Sequence, residues 1–488
     1  MKTSKSKRRF LIFLGLTLIL LTITGTWVLA QAIASGRTIY ACVLKDGTLR
    51  IVSDANQCKK VETLLTWNIM GPAGPQGERG ATGPKGEVGS AGPQGEPGPA
   101  SLSALQGSAC MVGGVASRLQ IVTNPASGLV TFICPPPPPI FSITTLDIGN
   151  YDFTSIAIGA DEVPVISYHD DNNGDLKVAH CNDIICSSAT LTTLDSAGDV
   201  GDDSSIAIGE DGLPAISYYD VTNGDLKVTH CNDYACSSAT LTTLDSSGDV
   251  GRYTSIAIGA DGNPVISYMD FSNGYLKVAH CNDSICSIAT LTIVDDSYMV
   301  GSFTSIAIGV DGWPVISYTD IANHDLKVAH CNETNCSSAS VTTLDGADDV
   351  GYFTSIAIGT DGRPIISYLD DTNWDLKVAH CNDAACSTAN LRTVDGTGRV
   401  GWYTSIAIGS DGRPVISYLD STNWDLKVAH CNDTVCNSAT LTTSDSIETE
   451  GFYSSIVIGV DGWPVISYIG DTNFSLKVTH CVDVLCTP

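Results

Sequence analysis

Basic charge is scarce in most of this chain of 488 residues. Residues 141–488 hold 12 Lys and Arg against 47 Asp and Glu, whereas residues 1–140 hold 13 against 6. Such an acidic region repels phosphate backbones and anionic headgroups, which excludes nucleic acid as a partner and leaves neutral, cationic or cation-bridged ones. No G-x-S-x-G or H-E-x-x-H motif occurs, so two common hydrolytic arrangements are missing. The five arginines of the acidic region (Arg252, Arg363, Arg392, Arg399, Arg413) do not recur at one strand position, as a carboxylate clamp would require. Aromatic residues make up only 7% of the chain, so the places where they gather carry information.

The N-terminus has what the rest lacks. Lys2, Lys5, Lys7, Arg8 and Arg9 precede an apolar run from Phe10, and Ala30, Ala32 and Ala34 follow in A-x-A spacing. Residues 1–32 therefore read as a secretory signal peptide, with an uncleaved anchor as the alternative. Export to the cell surface or beyond it places the 18 cysteines in an oxidising compartment, where an even count indicates a disulfide framework.

Residues 71–100 are ten unbroken Gly-X-Y triplets, "GPAGPQGERGATGPKGEVGSAGPQGEPGPA". Only glycine fits the axis of three wound polyproline-type strands, so this period predicts a collagen-like triple helix and a homotrimer, a rod of roughly 90 Å. A flexible Gly/Pro linker is the alternative. The segment resembles the collagen-like regions of bacterial surface proteins, and the resemblance covers those thirty residues. It is flanked by small modules at 33–70 and 101–139. "IYACVLKDGTLRIVSDANQC" alternates apolar and polar residues about Asp46-Gly47, and "ACMVGGVASRLQIVTNPASGLVTFIC" does so about "NPASG". Cys42 with Cys58 and Cys110 with Cys134 are the expected pairs. Pro135–Pro139 form a stiff spacer.

From residue 140 to 488 the sequence repeats every 50 residues: "SIAIG", "DGxPVISYxD", "LKVAHC", "ATLTTLD". Four short β-type segments per 40–50 residues is the arithmetic of a propeller blade, and the first segment occurs seven times. The last unit stops before its fourth segment, while "IFSITTLD" (140–147) stands orphaned ahead of the first. If the orphan pairs with the last unit, every blade has four strands and no edge is left open. The expected fold is all-β: a seven-bladed β-propeller whose final blade is closed by an N-terminal strand, behind the collagen-like segment and the disulfide-linked hairpins.

Each "LKVAHCNDIIC" phrase holds a cysteine pair: Cys181 and Cys186, Cys231 and Cys236, Cys281 and Cys286, Cys331 and Cys336, Cys381 and Cys386, Cys431 and Cys436, Cys481 and Cys486. Adjacent strand residues point to opposite faces, so His180 and Cys181 cannot share an ion. The pairs read as staples across the mouth of the hairpin between strands three and four, each contributing about 2 kcal/mol. The repeated histidine (His180, His230 and so on) reads as a buried hydrogen-bond partner. The repeated lysine (Lys177) reads as an ion pair with Asp170 across its hairpin. No metal site is expected. Calcium at "DDNNGD" (170–175) is the weaker alternative, because T-N-x-D is ordinary turn chemistry with Asn in the left-handed position.

Positions that differ between blades are where specificity can reside. Before the innermost strand lie Phe153, Tyr253, Phe303, Phe353, Tyr403 and Tyr453, with Asp203 the exception, and beside them Arg252, Tyr352, Trp402 and Phe452. At the tips between strands two and three, Gly174, Gly224 and Gly274 give way to His324, Trp374, Trp424 and Phe474, next to Asp325, Asp375 and Asp425. Both sets belong to one face, opposite the staples. Aromatic planes beside carboxylates suit a sugar, whose apolar face stacks on a ring while its hydroxyls donate to oxygen. The candidate ligand site is therefore His324, Trp374, Trp424, Phe474, Asp325, Asp375, Asp425, Trp402, Tyr403 and Tyr453, without catalytic residues. The alternative for the inner series is a plug of the central channel. The expected function is a non-enzymatic, lectin-like adhesin for an extracellular glycan or surface protein, its heads gathered by the stalk. The alternatives are a propeller glycoside hydrolase or lyase, although the sialidase-type S-x-D-x-G-x-x-W box is absent, and a structural envelope component.

Overall fold

The computed structural model describes residues 142–446, 449–470 and 474–487, and, ahead of them, the backbone of seven short strands between Thr38 and Ile133. The chain divides into two compact units between Pro139 and Ile140. In the first unit Thr38–Val43 pairs antiparallel with Leu49–Val52 and, on its other edge, with Thr63–Asn68. The region expected to form one hairpin contains two: Ala109–Val112 with Val115–Arg118, and Gln120–Thr123 with Val130–Ile133. The signal segment, the Gly-X-Y triplets and the pairs Cys42–Cys58 and Cys110–Cys134 lie outside the described residues.

The second unit is seven antiparallel four-stranded sheets. Blade 1 is Tyr151–Ile158, Pro164–Asp170, Asp175–Cys181 and Ala189–Asp195 from the innermost strand outward, and five further blades follow at the 50-residue period. Blade 7 consists of Phe452–Ile458, Pro464–Gly470, Ser475–His480 and, as its outer strand, Ser142–Asp147. The orphan segment does pair with the chain's tail, with Val478 opposite Thr144. Every second strand is buried along its whole length, because a blade has a neighbour on each side.

Blades adhere through apolar side chains and one polar clamp. Val165, Leu176 and Val178 of blade 1 pack on Val200, Ile206, Ile216 and Tyr218 of blade 2, and Val465, Leu476 and Val478 of blade 7 pack likewise on Ile156, Ile166 and Tyr168 of blade 1. The aspartate that ends each outer strand is shared by the next blade: Asp195 accepts from Tyr218 Oη at 2.8 Å and from Lys227 Nζ at 2.5 Å. Asp147 plays this part at the closure, accepting from Tyr168 at 2.9 Å and Lys177 at 2.6 Å. The expected Lys177–Asp170 pair is therefore secondary, at 3.8 Å. An ammonium aimed between blades reaches the neighbour's carboxylate first.

The seven staples form, with Cα separations of 4.8 to 4.9 Å. Their placement differs from expectation. The strand partner of Cys181 is Ala189, and Cys186 sits inside the turn at φ +53°. Each bridge thus closes the turn itself, and its buried sulfurs join the packing between blades. The repeated histidine bonds the aspartate of the hairpin between strands one and two, as His280 Nε2 does with Asp261 Oδ2 at 2.9 Å.

Two local readings also change. The left-handed residue of the T-N-x-D turn is not Asn but the one after it: Gly174 at +69°, Trp374 and Trp424 at +62°. Asn173 instead bonds Asp170 through its amide and its backbone N–H. The Phe153 series lies within the innermost strand, where two residues stand opposite one, and each of the seven is an extra residue in the left-handed region (φ +48° to +54°).

Replacing Asp147 by Ala leaves Lys177 and Tyr168 without their acceptor at the ring's closure. The expected cost is about 3 kcal/mol, read as a lower thermal midpoint, against no measurable change for the surface control Asp296→Ala.

Candidate functional site

The inner bulge positions form a collar around the channel. Neighbouring rings meet at centroid distances of 4.5 to 4.6 Å in one continuous series, Tyr253, Phe303, Phe353, Tyr403, Tyr453 and Phe153. Asp203 interrupts it between Phe153 and Tyr253. The rings do not fill the channel, which keeps a cavity of about 200 Å³.

Outside the collar, the tip residue of one blade lies against the next blade's residue just before its bulge. His324 Nδ1 is 2.7 Å from Asp349 and 3.4 Å from the Tyr352 hydroxyl. Trp374 stacks on Trp402 at 5.9 Å, and Trp424 on Phe452 at 5.8 Å. Trp402 and Phe452 in turn touch the collar rings Phe353 and Tyr403. The arc is thus a connected aromatic surface running inward to the channel.

The arc's members are not equally open. Trp374 has two ring partners, the Arg399 guanidinium 3.9 Å from its centroid and Trp402 stacked at 5.9 Å. Trp424 and Phe474 remain 44% and 47% exposed, which leaves them able to take a ligand. Their left-handed backbone costs a non-glycine residue on the order of 1 kcal/mol each, and the turn would be served by glycine, as it is in blades 1 to 3. The expected carboxylates directly follow the tip residues. Asp325, Asp375 and Asp425 begin the third strands, half-buried, and desolvation together with Asp320, Asp370 and Asp420 raises their pKa.

A second cluster was not singled out by comparing the units. His169 stands where the other blades carry Tyr219, Met269, Thr319, Leu369, Leu419 and Ile469. Its Nδ1 is 2.8 Å from Asp152 and its Nε2 3.2 Å from Asp199. Asp202 and Asp203 follow on the next blade. Burial opposes charge on His169, yet Asp152, Asp202 and Asp199 outweigh it and hold the imidazole up at about 8. Desolvation, then Asp152, raises Asp202 to about 6; desolvation, then Asp202, raises Asp203 to about 8. The available signal is the one histidine at a position that elsewhere in the repeat carries Tyr, Met, Thr, Leu or Ile.

His169, Asp152 and Asp171 are close enough to be considered as metal ligands. Both imidazole nitrogens already face carboxylates, Nδ1 toward Asp152 and Nε2 toward Asp199, and within "DDNNGD" Asp170 is engaged by Asn173 and Lys177.

No protein-family model matches the chain, and no curated protein matches it. Solved structures with a similar course include an α-L-arabinofuranosidase from Fusarium graminearum, at 11% identity and a TM-score of 0.41, over 57% of this chain and 91% of that one. A NanB sialidase variant from Streptococcus pneumoniae aligns at 10% and 0.41, over 68% of each chain. The polysaccharide lyase Uly1 aligns at 9% and 0.43, over 67% of this chain and 89% of that one. At that distance no residue role carries over.

The acid cluster makes stability depend on pH. His169, Asp202 and Asp203 all have folded pKa values above their ordinary ones, so the stability they confer is present at low pH and is lost as pH rises through about 6 and about 8. The thermal midpoint should fall between pH 5 and pH 9, with His169 contributing about 2 kcal/mol. Asp203→Phe should flatten that fall, as measured by differential scanning calorimetry across the range.

Proposed function

We propose that this protein is an exported, non-enzymatic carbohydrate-binding protein whose ligand lies across the aromatic arc of blades 4 to 7. The observation that carries the reading is the stacked pair Trp424–Phe452, with Trp424, and Phe474 on the next tip, left open in a backbone conformation that the turn itself does not require of them. Flat rings cover the apolar face of a pyranose, and the polar rim of His324, Asp349 and Tyr352 serves its hydroxyls. The collagen-like residues 71–100 gather three heads, so that weak single contacts sum to avidity on a glycosylated surface.

A second reading is favoured by one observation. Asp152 and Asp202 interact, and both are raised, Asp202 to about 6. One carboxyl kept protonated beside another that ionises is what glycoside hydrolysis needs.

On a glycan array, Trp424→Ala and Phe474→Ala should each lower retention about tenfold, and Trp374→Ala should do less because its ring already has two partners. Unchanged retention in the first two would remove the arc from the site. The second reading is tested with chromogenic glycosides between pH 4 and 8: turnover that drops about a hundredfold in Asp202→Asn would establish it, and the proposed binder should show none.

A further inference from the structure

The channel cavity lies at the inner end of the arc, with Tyr403 and Tyr453 in its wall. Its walls are the six collar rings and a ring of Thr and Ser side chains whose hydroxyls are already engaged between blades. Thr154 bonds Ser467, Ser204 bonds Ser167 and Thr254 bonds Ser217, and the pattern continues round the circle. What these residues present to the cavity is mostly hydrocarbon and aromatic carbon. Tyr403 and Tyr453 hydrogen-bond each other.

The one ionisable acid in that wall is Asp203. Its carboxylate accepts the Tyr253 N–H at 2.6 Å and meets no cationic side chain at salt-bridge distance among the described residues. The neighbouring Arg252 is turned aside, clamped on Asp249 at 2.7 Å with its guanidinium over Phe271. Behind Asp203 lie Asp202 and Asp152. A seventh aromatic, as in the other six blades, would serve a plug better, because a carboxyl in such a wall is costly without a counter-charge.

We propose that this cavity binds a small alkylated ammonium group, its methyl groups against the collar rings and its charge facing Asp203. A cation held among aromatic faces is attracted by the ring quadrupoles, and a carboxylate at the single gap fixes its position. The volume of about 200 Å³ accommodates several waters or one such headgroup in their place. The site is independent of the glycan reading, since it uses none of the tip residues. The groups that face Asp203 set the pH dependence: Asp202 and Asp152 raise it, Arg252 and the Tyr253 N–H lower it. As Asp203 loses its proton, the cation gains its partner, so affinity should rise from pH 6 to pH 9.

The test is calorimetric titration of the full-length protein with choline and with 3,3-dimethylbutan-1-ol, its uncharged carbon isostere. Choline should bind at least about tenfold more tightly than the alcohol. Asp203→Asn should weaken choline about tenfold, and Asp203→Phe, which installs the residue type of the other blades, should abolish it while leaving a cooperative melt and unchanged glycan retention. Equal affinity for the two ligands, no binding of either, or undiminished choline binding in Asp203→Phe would overturn the proposal.

Discussion

The carboxylate at the end of each outer strand, received by a tyrosine of the following blade and, at every junction but one, hydrogen-bonded by its lysine, is the contact on which the ring depends; at Asp445 the lysine, Lys477, turns to Glu450 instead. Apolar packing between blades is non-directional and would tolerate sliding. The shared aspartate fixes both rotation and height, because two donors on different strands must converge on one oxygen, as Tyr218 and Lys227 do on Asp195 Oδ2. Asp147 extends the same arrangement across the point where the chain begins and ends its circle. The inner strands repeat the logic in smaller form: the Ile206 N–H donates to Ser155, and at the closure the Ile156 N–H donates to Ser455.

Because seven near-identical sheets supply the rigidity, the few departures from the repeat carry the chemistry. They fall in two sectors of one face. Blades 4 to 7 hold the aromatic tips and the rings they stack on, while blades 1 and 2 hold His169 with Asp152, Asp199, Asp202 and Asp203. A surface apolar on one side and acidic on the other can orient an extended ligand, whereas seven equal sites cannot. The staples lie on the opposite side of the blades, buried and inert, and do not compete with that role.

Much of this was legible in the residues. The 50-residue period, the orphan segment at 140–147 and the spacing of the cysteines led directly to seven closed blades with seven bridges. The local errors share one cause. Spacing puts Cys186 across from Cys181 and Asn173 in the left-handed position, because distance along a chain does not reveal which residue of a tight turn reverses it. Local pattern pairs Lys177 within its own hairpin, because contacts between blades are separated by about thirty residues and leave no mark on the nearby sequence.

By itself, the sequence determined the number of blades, the strands in each and the device that closes them, since these follow from periodicity and from the rule that a sheet edge must be paired. Only the tertiary structure decided which departures meet. Asp152, His169 and Asp199 lie on three different strands or connections, Trp374 and Trp402 on different blades, and the gap at Asp203 becomes a feature only when six rings close around it. Proximity across a circle depends on the curvature of the whole, and no stretch of sequence contains that curvature.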